Sequence, residues 1–416
     1  MASRHDGLPV HLGGASAVCL FALSLVAFVA ETQLTQYVQA DLGFRQPFLI
    51  FYIVHSAFTI MLPLHLFYLR ITSKHSSRAI WSGLILALSQ RLRPNVAVTH
   101  RRLMFPRWEF VCFILLLTAG LTFPSLLWFI AVSLAPVTDV TALWNTNAFF
   151  AYVLSVWLFK LQWDPRRLAA VVLATLGATA VVYGGSNADP IEEQPTSLVG
   201  LSSTARAPLF GDLLTLTASI LYSVYQVLYK MYAALPSDPE HLDSAGLDSD
   251  SYTPIPSAVD GPAVLDDTEY ASPDETDVAY PPPFGLYPNM LTSAVGLCTL
   301  LVLWIPIPIL NHYGVMHVHL PSTSREVLVI AGIALSGCLF NAGFMTLLGT
   351  WGPIVTSVGS LLTIVLVFIS DIIFGGAVET VTPWSLIGSG SIVFAFTVLA
   401  YDMMRRRSLS NHGSLE

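Results

Sequence analysis

Ten separate runs of this sequence are apolar over the length a helix needs to cross a bilayer, and nothing else limits the possible folds so sharply. A hydrocarbon core of about 30 Å takes roughly 20 residues of α-helix. The runs are Gly14 to Ala30, Phe48 to Tyr68, Phe110 to Leu134, Val137 to Phe159 and Leu168 to Gly184. They continue with Leu213 to Tyr232, Leu286 to Leu310, Val327 to Leu348, Ile354 to Phe374 and Trp384 to Tyr401. Only 11% of the 416 residues are charged, against about 25% in an average soluble domain. Too few charged faces exist to cover so much apolar surface in water, so the runs belong in a membrane. The first run follows Arg4, as the core of a signal peptide would. Its polar end, Glu31-Thr32-Gln33, is not a small-x-small cleavage site, so it too is read as a span.

Basic residues orient the spans. With the N-terminus in the cytosol, sixteen Lys and Arg fall on the cytosolic side: Arg4, eight from Arg70 to Arg107, Lys160, Arg166, Arg167, Lys230 and Arg405 to Arg407. Only Arg45, Arg206 and Arg325 fall opposite. This bias is the positive-inside signature, and it requires an even number of spans. Both termini are therefore expected in the cytosol.

The formal net charge of −8 belongs to one loop. Twelve acidic residues lie between Asp238 and Asp277, where no Lys or Arg occurs. The rest of the chain is mildly basic and carries no nucleic-acid footprint. The loop from Ala233 to Pro283 is rich in Asp, Ser and Pro and too poor in large apolar residues to offset its ordering entropy. It is expected to be a disordered tether, with regulation through its serines as the alternative. In another cytosolic loop, Ala79 to Gln90 is apolar but too short to cross. A short surface helix at the headgroups is expected there, a specific lipid site being the sharper alternative. Cys19, Cys112, Cys298 and Cys338 sit inside apolar runs without metal-ligand spacing and are read as small buried hydrophobes.

The chain also repeats. A shift of 217 positions places Phe123 on Phe340, Ala135 on Gly352 and Pro136 on Pro353. Five spans per half is odd, so the copies must run in opposite directions. Inverted repeats place a substrate site near the midplane between the halves. The expected fold is thus an all-α integral membrane protein of ten transmembrane helices in two inverted five-helix repeats. Residues 1–184 form the first repeat, with a basic cytosolic loop at 70–107. Residues 185–232 hold a luminal loop and the sixth span, 233–283 the acidic loop, 284–402 the remaining spans, and 403–416 a cytosolic tail.

Several segments carry a family resemblance. Gly211-Asp212-Leu213-Leu214, running on to Leu221-Tyr222-Ser223-Val224-Tyr225, resembles the sixth span of the drug/metabolite transporter superfamily, the EamA-like proteins. Ala135 to Leu143, followed by Phe149-Phe150, is similar to its hairpin between the third and fourth spans. Asn289 to Trp304, Leu34-Thr35-Gln36-Tyr37 and Gln46-Pro47-Phe48 resemble the F-type members of solute carrier family 35. The resemblance covers nearly all ten spans. It implies secondary transport of a vitamin, nucleobase-like or nucleotide-related metabolite, or of an orphan substrate. A vacuolar or Golgi-type membrane is implied, with a nucleotide-sugar carrier as the alternative.

Polar groups in hydrocarbon are costly unless they face a cavity or find a partner, so helical stripes of them are informative. On the sixth span Ser219, Tyr222, Gln226 and Tyr229 share one face. On the ninth Thr356, Ser360 and Thr363 do so. On the fourth Thr141 and Asn145 align with Tyr152, while Asn147 points about 200° away from Asn145. These faces are expected to line a substrate pocket. The competing reading is helix packing through small hydroxyls and single interhelical hydrogen bonds. Glu31, Asp139, Asp212 and Asp371 fall near the luminal ends of their spans. They are expected either to reach water there or to form an acidic vestibule that carries coupling protons or attracts cations. His55 is a candidate proton relay or a hydrogen-bonded core histidine. His312, His317 and His319 cluster in one loop, but no carboxylate or Cys accompanies them, so no metal site is assigned.

No H-E-x-x-H, G-x-S-x-G, Walker loop or dinucleotide fingerprint occurs. No enzyme and no cofactor is expected. The function expected is alternating-access transport of a small polar organic metabolite across an endomembrane, with membrane lipids as partners and a homodimer left open. A scaffold or receptor of the same fold that has lost transport stands as the other class.

Overall fold

The structure, a computed structural model, describes residues 14–44, 46–73, 75–93, 105–135, 137–184, 208–235, 279, 281–314, 318–375 and 381–413. Most of the acidic loop, both ends of the chain and His317 lie outside the described residues. In chain order the helices are α1 (Gly14–Ala40), α2 (Pro47–Ala57), α3 (Met61–Thr72), α4 (Ser77–Leu92), α5 (Arg107–Leu134), α6 (Val137–Trp144), α7 (Asn147–Leu158) and α8 (Pro165–Gly184). There follow α9 (Pro208–Leu228), α10 (Leu286–Val302), α11 (Pro306–His312), α12 (Ser324–Ser360), α13 (Leu362–Gly375) and α14 (Pro383–Gly413).

No strand occurs among the described residues. Among the described residues seven helical stretches are long and apolar enough to cross a membrane: Ser16–Gln39, Phe48–Thr72, Arg107–Trp128, Pro165–Gly184, Leu286–His312, Ser324–Ser370 and Pro383–Arg405. This is the make-up of an all-α integral membrane protein.

Local chemistry explains where the helices bend. Pro63 has no N–H to give the Thr59 carbonyl four residues earlier. A 3-10 turn, Phe58–Ile60, joins α2 to α3 there, and Ser293 Oγ of α10 donates to the freed Thr59 carbonyl at 2.7 Å. Ser324–Ser370 is 47 residues long and contains the eighth and ninth expected spans end to end. Between them Gly352 has φ 81° and ψ 168°, a conformation that suits glycine, and Pro353 follows it.

Three expectations need correction. The first span does not stop at Ala30, since α1 continues to Ala40. Hydropathy falls at Glu31-Thr32-Gln33, but α12 lies along α1 from Ser24 to Leu34 through Gly343, Gly337 and Gly332, and helical pairing persists. The fourth span is not one helix: α6 and α7 meet at a break at Asn145-Thr146. Nor is the short helix after the second span a pure surface element. In α4 Arg78 and Trp81 are exposed, but Ala79, Ile80, Leu84, Ala87 and Leu88 belong to the main core. Its N-cap Ser76 accepts from Ala79 N at 3.1 Å.

Helices pack in a recurring scheme. α1 lies on α12, α5 on α9, and α8 on α14, while α2 and α3 lie on α10. α9 also contacts α6 and α7, and α1 contacts α13. α8 and α14 approach backbone to backbone, where a methyl on Gly177 would sit 2.7 Å from the Gly388 carbonyl oxygen.

Candidate functional site

The two broken helices carry Thr141, Asn145, Thr356, Ser360 and Thr363, five of the eight candidate substrate residues. At the α6–α7 break the side chains bond back to carbonyls of the preceding turn. Asn145 Nδ2 donates to Thr141 O at 2.8 Å, Thr146 Oγ1 to Leu143 O at 2.5 Å, and Asn147 Nδ2 to Trp144 O at 2.9 Å. Asn145 and Asn147 are both buried. At the α12–α13 break the pattern recurs. Ser360 Oγ donates to Ser357 O at 2.7 Å, and Thr363 Oγ1 to Ser360 O at 2.6 Å. The shift of 217 positions carries Trp144, at the first break, onto Leu361, at the second.

α9 touches both breaks. Ser219 Oγ lies 3.0 Å from Thr146 Oγ1, and Ser223 Oγ lies 2.9 Å from Asn147 O. On the other side Ser357 Oγ donates to Gln226 Oε1 at 2.5 Å. The Tyr222 ring stacks on Trp144 with centroids 5.1 Å apart and continues to Tyr225 and Tyr229. The fourth, sixth and ninth expected spans therefore meet, and many of their hydroxyls bond one helix to another.

Some polar capacity stays unspent. Gln226 Nε2, Tyr229 OH and Thr356 Oγ1 are buried without a hydrogen-bond partner, as is Asn147 Oδ1. Tyr222, Thr141, Ser360 and Trp144 keep partial exposure. Amides and hydroxyls of this kind can recognise a polar solute. They include no nucleophile–base pair.

Sequence reasoning missed Ser357, which lies one residue off the expected stripe yet makes the bond to Gln226, and Trp144, which supplies the stacking partner. It also missed Arg91 at the end of α4. The Arg91 guanidinium donates to the Met231 carbonyl and, at 3.0 Å, to that of Tyr232, in the π-helical turn Tyr229–Ala233 that ends the sixth span. Lys230 Nζ, in the same turn, donates to Gly349 O at 2.6 Å. Ala279 N donates to Ala79 O at 3.1 Å, so the chain on either side of the acidic segment is tied to α4.

The titratable candidates separate. Glu31 is not at a span end, because α1 continues nine residues beyond it. His55 Nδ1 lies 3.0 Å from Phe51 O, and its ring packs against Phe51 and Phe58. Asp371 lies on α13, and its side chain is outside those described. The Tyr183 phenol donates to Asp139 Oδ1 at 2.5 Å. Tyr152, aligned by sequence with Asn145, gives its phenol to Asp164 O at 3.1 Å. His319 Nδ1 is 2.9 Å from Gln46 Nε2, and His312 meets the Tyr313 ring edge-on. Among the described residues no group of three His, Cys, Asp or Glu is placed to hold a metal.

No protein-family model matches this chain, and no curated protein does. Solved structures do match. One of them, described only as "Crystal structure of protein", superposes with a TM-score of 0.50 at 13% identity and covers 94% of this chain and 99% of its own. At that identity the likeness concerns fold alone.

Proposed function

We propose that this chain is a secondary transporter that moves a small polar organic metabolite across an endomembrane by alternating access. The observation that carries the reading is the pair of broken helices, α6–α7 and α12–α13, set at corresponding positions of the two halves on either side of the α9 polar face. Interrupted helices at corresponding positions are the best sequence-readable pointer to a transporter's binding site.

Ten spans follow when α6–α7 counts as one, α9 as another, and Ser324–Ser370 divides at Gly352. The helix pairs support two inverted repeats. Exchanging the halves turns the α1–α12 pair into the α9–α5 pair, and returns α8–α14 and α2/α3–α10 to themselves. Thr141, Asn145, Tyr222, Gln226, Tyr229, Thr356, Ser360 and Thr363 form the proposed substrate region. Gln226, Tyr229 and Thr356 supply the unspent polar groups, and Tyr222 with Trp144 supplies a flat apolar wall. Both termini lie in the cytosol under this reading, in a vacuolar or Golgi-type membrane.

Purified chain in proteoliposomes, offered a mixture of cellular metabolites, should accumulate a restricted set of polar solutes above empty vesicles. Accumulation of none would overturn transport and leave a scaffold or receptor of this fold. Accumulation of nucleotide sugars would identify the alternative cargo.

A further inference from the structure

The α1–α12 and α5–α9 pairs both pack on glycines, and one glycine of each pair corresponds to one of the other. Gly120 is at the middle of α5, Gly337 is at the middle of α12 before Gly352, and the 217-position shift superposes them. A methyl on Gly120 would sit 2.9 Å from Tyr225 Cδ2. One on Gly337 would sit 2.6 Å from Val54 Cγ1 and 2.9 Å from Glu31 Oε1. Each glycine is a slot that receives a side chain from the partner helix. One half fills its slot with a tyrosine, and the other with Val54 of α2 and the Glu31 carboxylate of α1.

Tyr225 needs only packing to explain it. Its ring continues the Tyr222–Tyr229 stack, and its phenol points to Met345 Sδ at 3.7 Å. The slot itself therefore requires no charge. Glu31 is eight residues short of the end of the span Ser16–Gln39, which is about 12 Å of helix. Its carboxylate makes no hydrogen bond or ion pair with the described residues. Around it α12 offers Cys338 and Asn341, and the Asn341 amide is spent on Gly337 O at 2.9 Å. α2 offers Val54, beside the titratable His55 already held by Phe51. α13, which also packs on α1, carries Asp371. The cation on α12, Arg325, is twelve residues from Gly337 and covers the Tyr37 ring instead.

From this geometry we infer that Glu31 is a proton-binding site that loads and unloads as the transporter turns over; the inference rests on the transport reading above. An ionised carboxylate at membrane depth with no partner is costly, and a proton removes that charge without needing a second side chain. α1 belongs to the first half and α12 to the second, so Glu31 lies on a seam that must open and close in alternating access. Opening the slot to water on either side lets the carboxyl give up its proton there, and closing it requires the proton back. Gly337 matters because any side chain would push the carboxyl out of the slot.

The test is infrared difference titration of the full chain reconstituted in lipid. Wild type should show a protonated-carboxyl band that Glu31→Gln removes and Glu31→Asp restores at a shifted frequency. Proton uptake on acidification should fall by one per chain in Glu31→Gln, and Gly337→Ala should displace the band without abolishing it. A Glu31→Gln variant that is monodisperse and matches wild type in band and uptake would overturn the proposal. Should neither Glu31 variant remain folded, the unshifted band of Gly337→Ala would overturn it. Metabolite accumulation without a titrating Glu31 leaves transport standing and refutes only the proton site. A titrating Glu31 with no accumulation refutes transport, and with it the role in turnover.

Discussion

The α8–α14 seam and the seam around α9 are both built from small residues that bring helices close, but they use their polar groups in opposite ways. Between α8 and α14 backbone meets backbone at Gly177 and Gly388, with Ala170, Ala174, Ala178, Ile392 and Ala395 filling the flanks. Its polar contacts sit near the ends, where Thr382 Oγ1 donates to Gly184 O at 2.8 Å and Arg167 Nε to Asp402 Oδ2 at 2.7 Å. Around α9 the contacts are Ser219, Ser223 and Gln226, and polar atoms are left over. Apart from Ser389 Oγ on α14, the α8–α14 pair leaves no buried side-chain polar atom unspent among the described residues, and its backbone contact fixes the geometry. A seam that keeps unsatisfied amide and hydroxyl groups is arranged for something that comes and goes.

The largest effect expected from breaking this contrast is at the dry seam. Overpacking a core costs about 1–3 kcal/mol when neighbours can shift, but Gly177 faces backbone. Gly177→Leu should abolish folded, monodisperse protein on size-exclusion chromatography, and a normal elution profile would show that the α8–α14 contact is dispensable.

At the α9 seam the outcome should be reversed. Removing both partners of a buried hydrogen bond is close to neutral for stability. The double variant Gln226→Leu with Ser357→Ala should therefore keep its melting temperature. It should lose transport by about tenfold or more, the equivalent of about 1.4 kcal/mol of recognition. Retained uptake would reduce Gln226 to interhelical glue.

A smaller effect belongs to Arg91, which joins α4 to the end of the sixth span. Hydrogen bonds from a charged donor contribute about 1.5–3 kcal/mol, so Arg91→Ala should lower the melting temperature, with Arg91→Lys intermediate. An unchanged melting temperature in both would mean that α4 is held by its apolar face alone. Smallest of all should be deletion of Leu242 to Thr276. The flanking chain is anchored on α4 at Met231, Tyr232 and Ala279, so abundance and transport should be unaltered. Loss of either would give the acidic segment a structural or regulatory part.

The all-α membrane character was legible because span length is a property of long windows. The candidate site was less so, because it depends on single residues and on breaks. Thr356, Ser360 and Thr363 form a stripe only on an unbroken helix. In the structure Ser360 and Thr363 spend their hydroxyls on carbonyls three residues back, and Ser357 makes the contact to Gln226 instead. Glu31 looked like the polar end of a span because its neighbours Thr32 and Gln33 are polar. What keeps it inside is Gly337, some three hundred positions away, which no local pattern reveals. Arg91 was counted as one of many cytosolic positive charges, and its carbonyl partners become visible only when α4 is docked. The two glycine slots were present in the repeat alignment, but their meaning required knowing which helix faced which.

The contrast between the seams can be measured in one experiment. In a background lacking Cys19, Cys112, Cys298 and Cys338, single cysteines replace Tyr222 and Ser360 at the α9 seam and Ala174 and Ala395 at the α8–α14 seam. All four positions lie within helices. A charged, membrane-impermeant thiol reagent should modify the first two in native vesicles and spare the last two, because water reaches one seam and not the other. Equal reactivity at both seams, or none at either, would contradict an aqueous substrate path through the α9 seam.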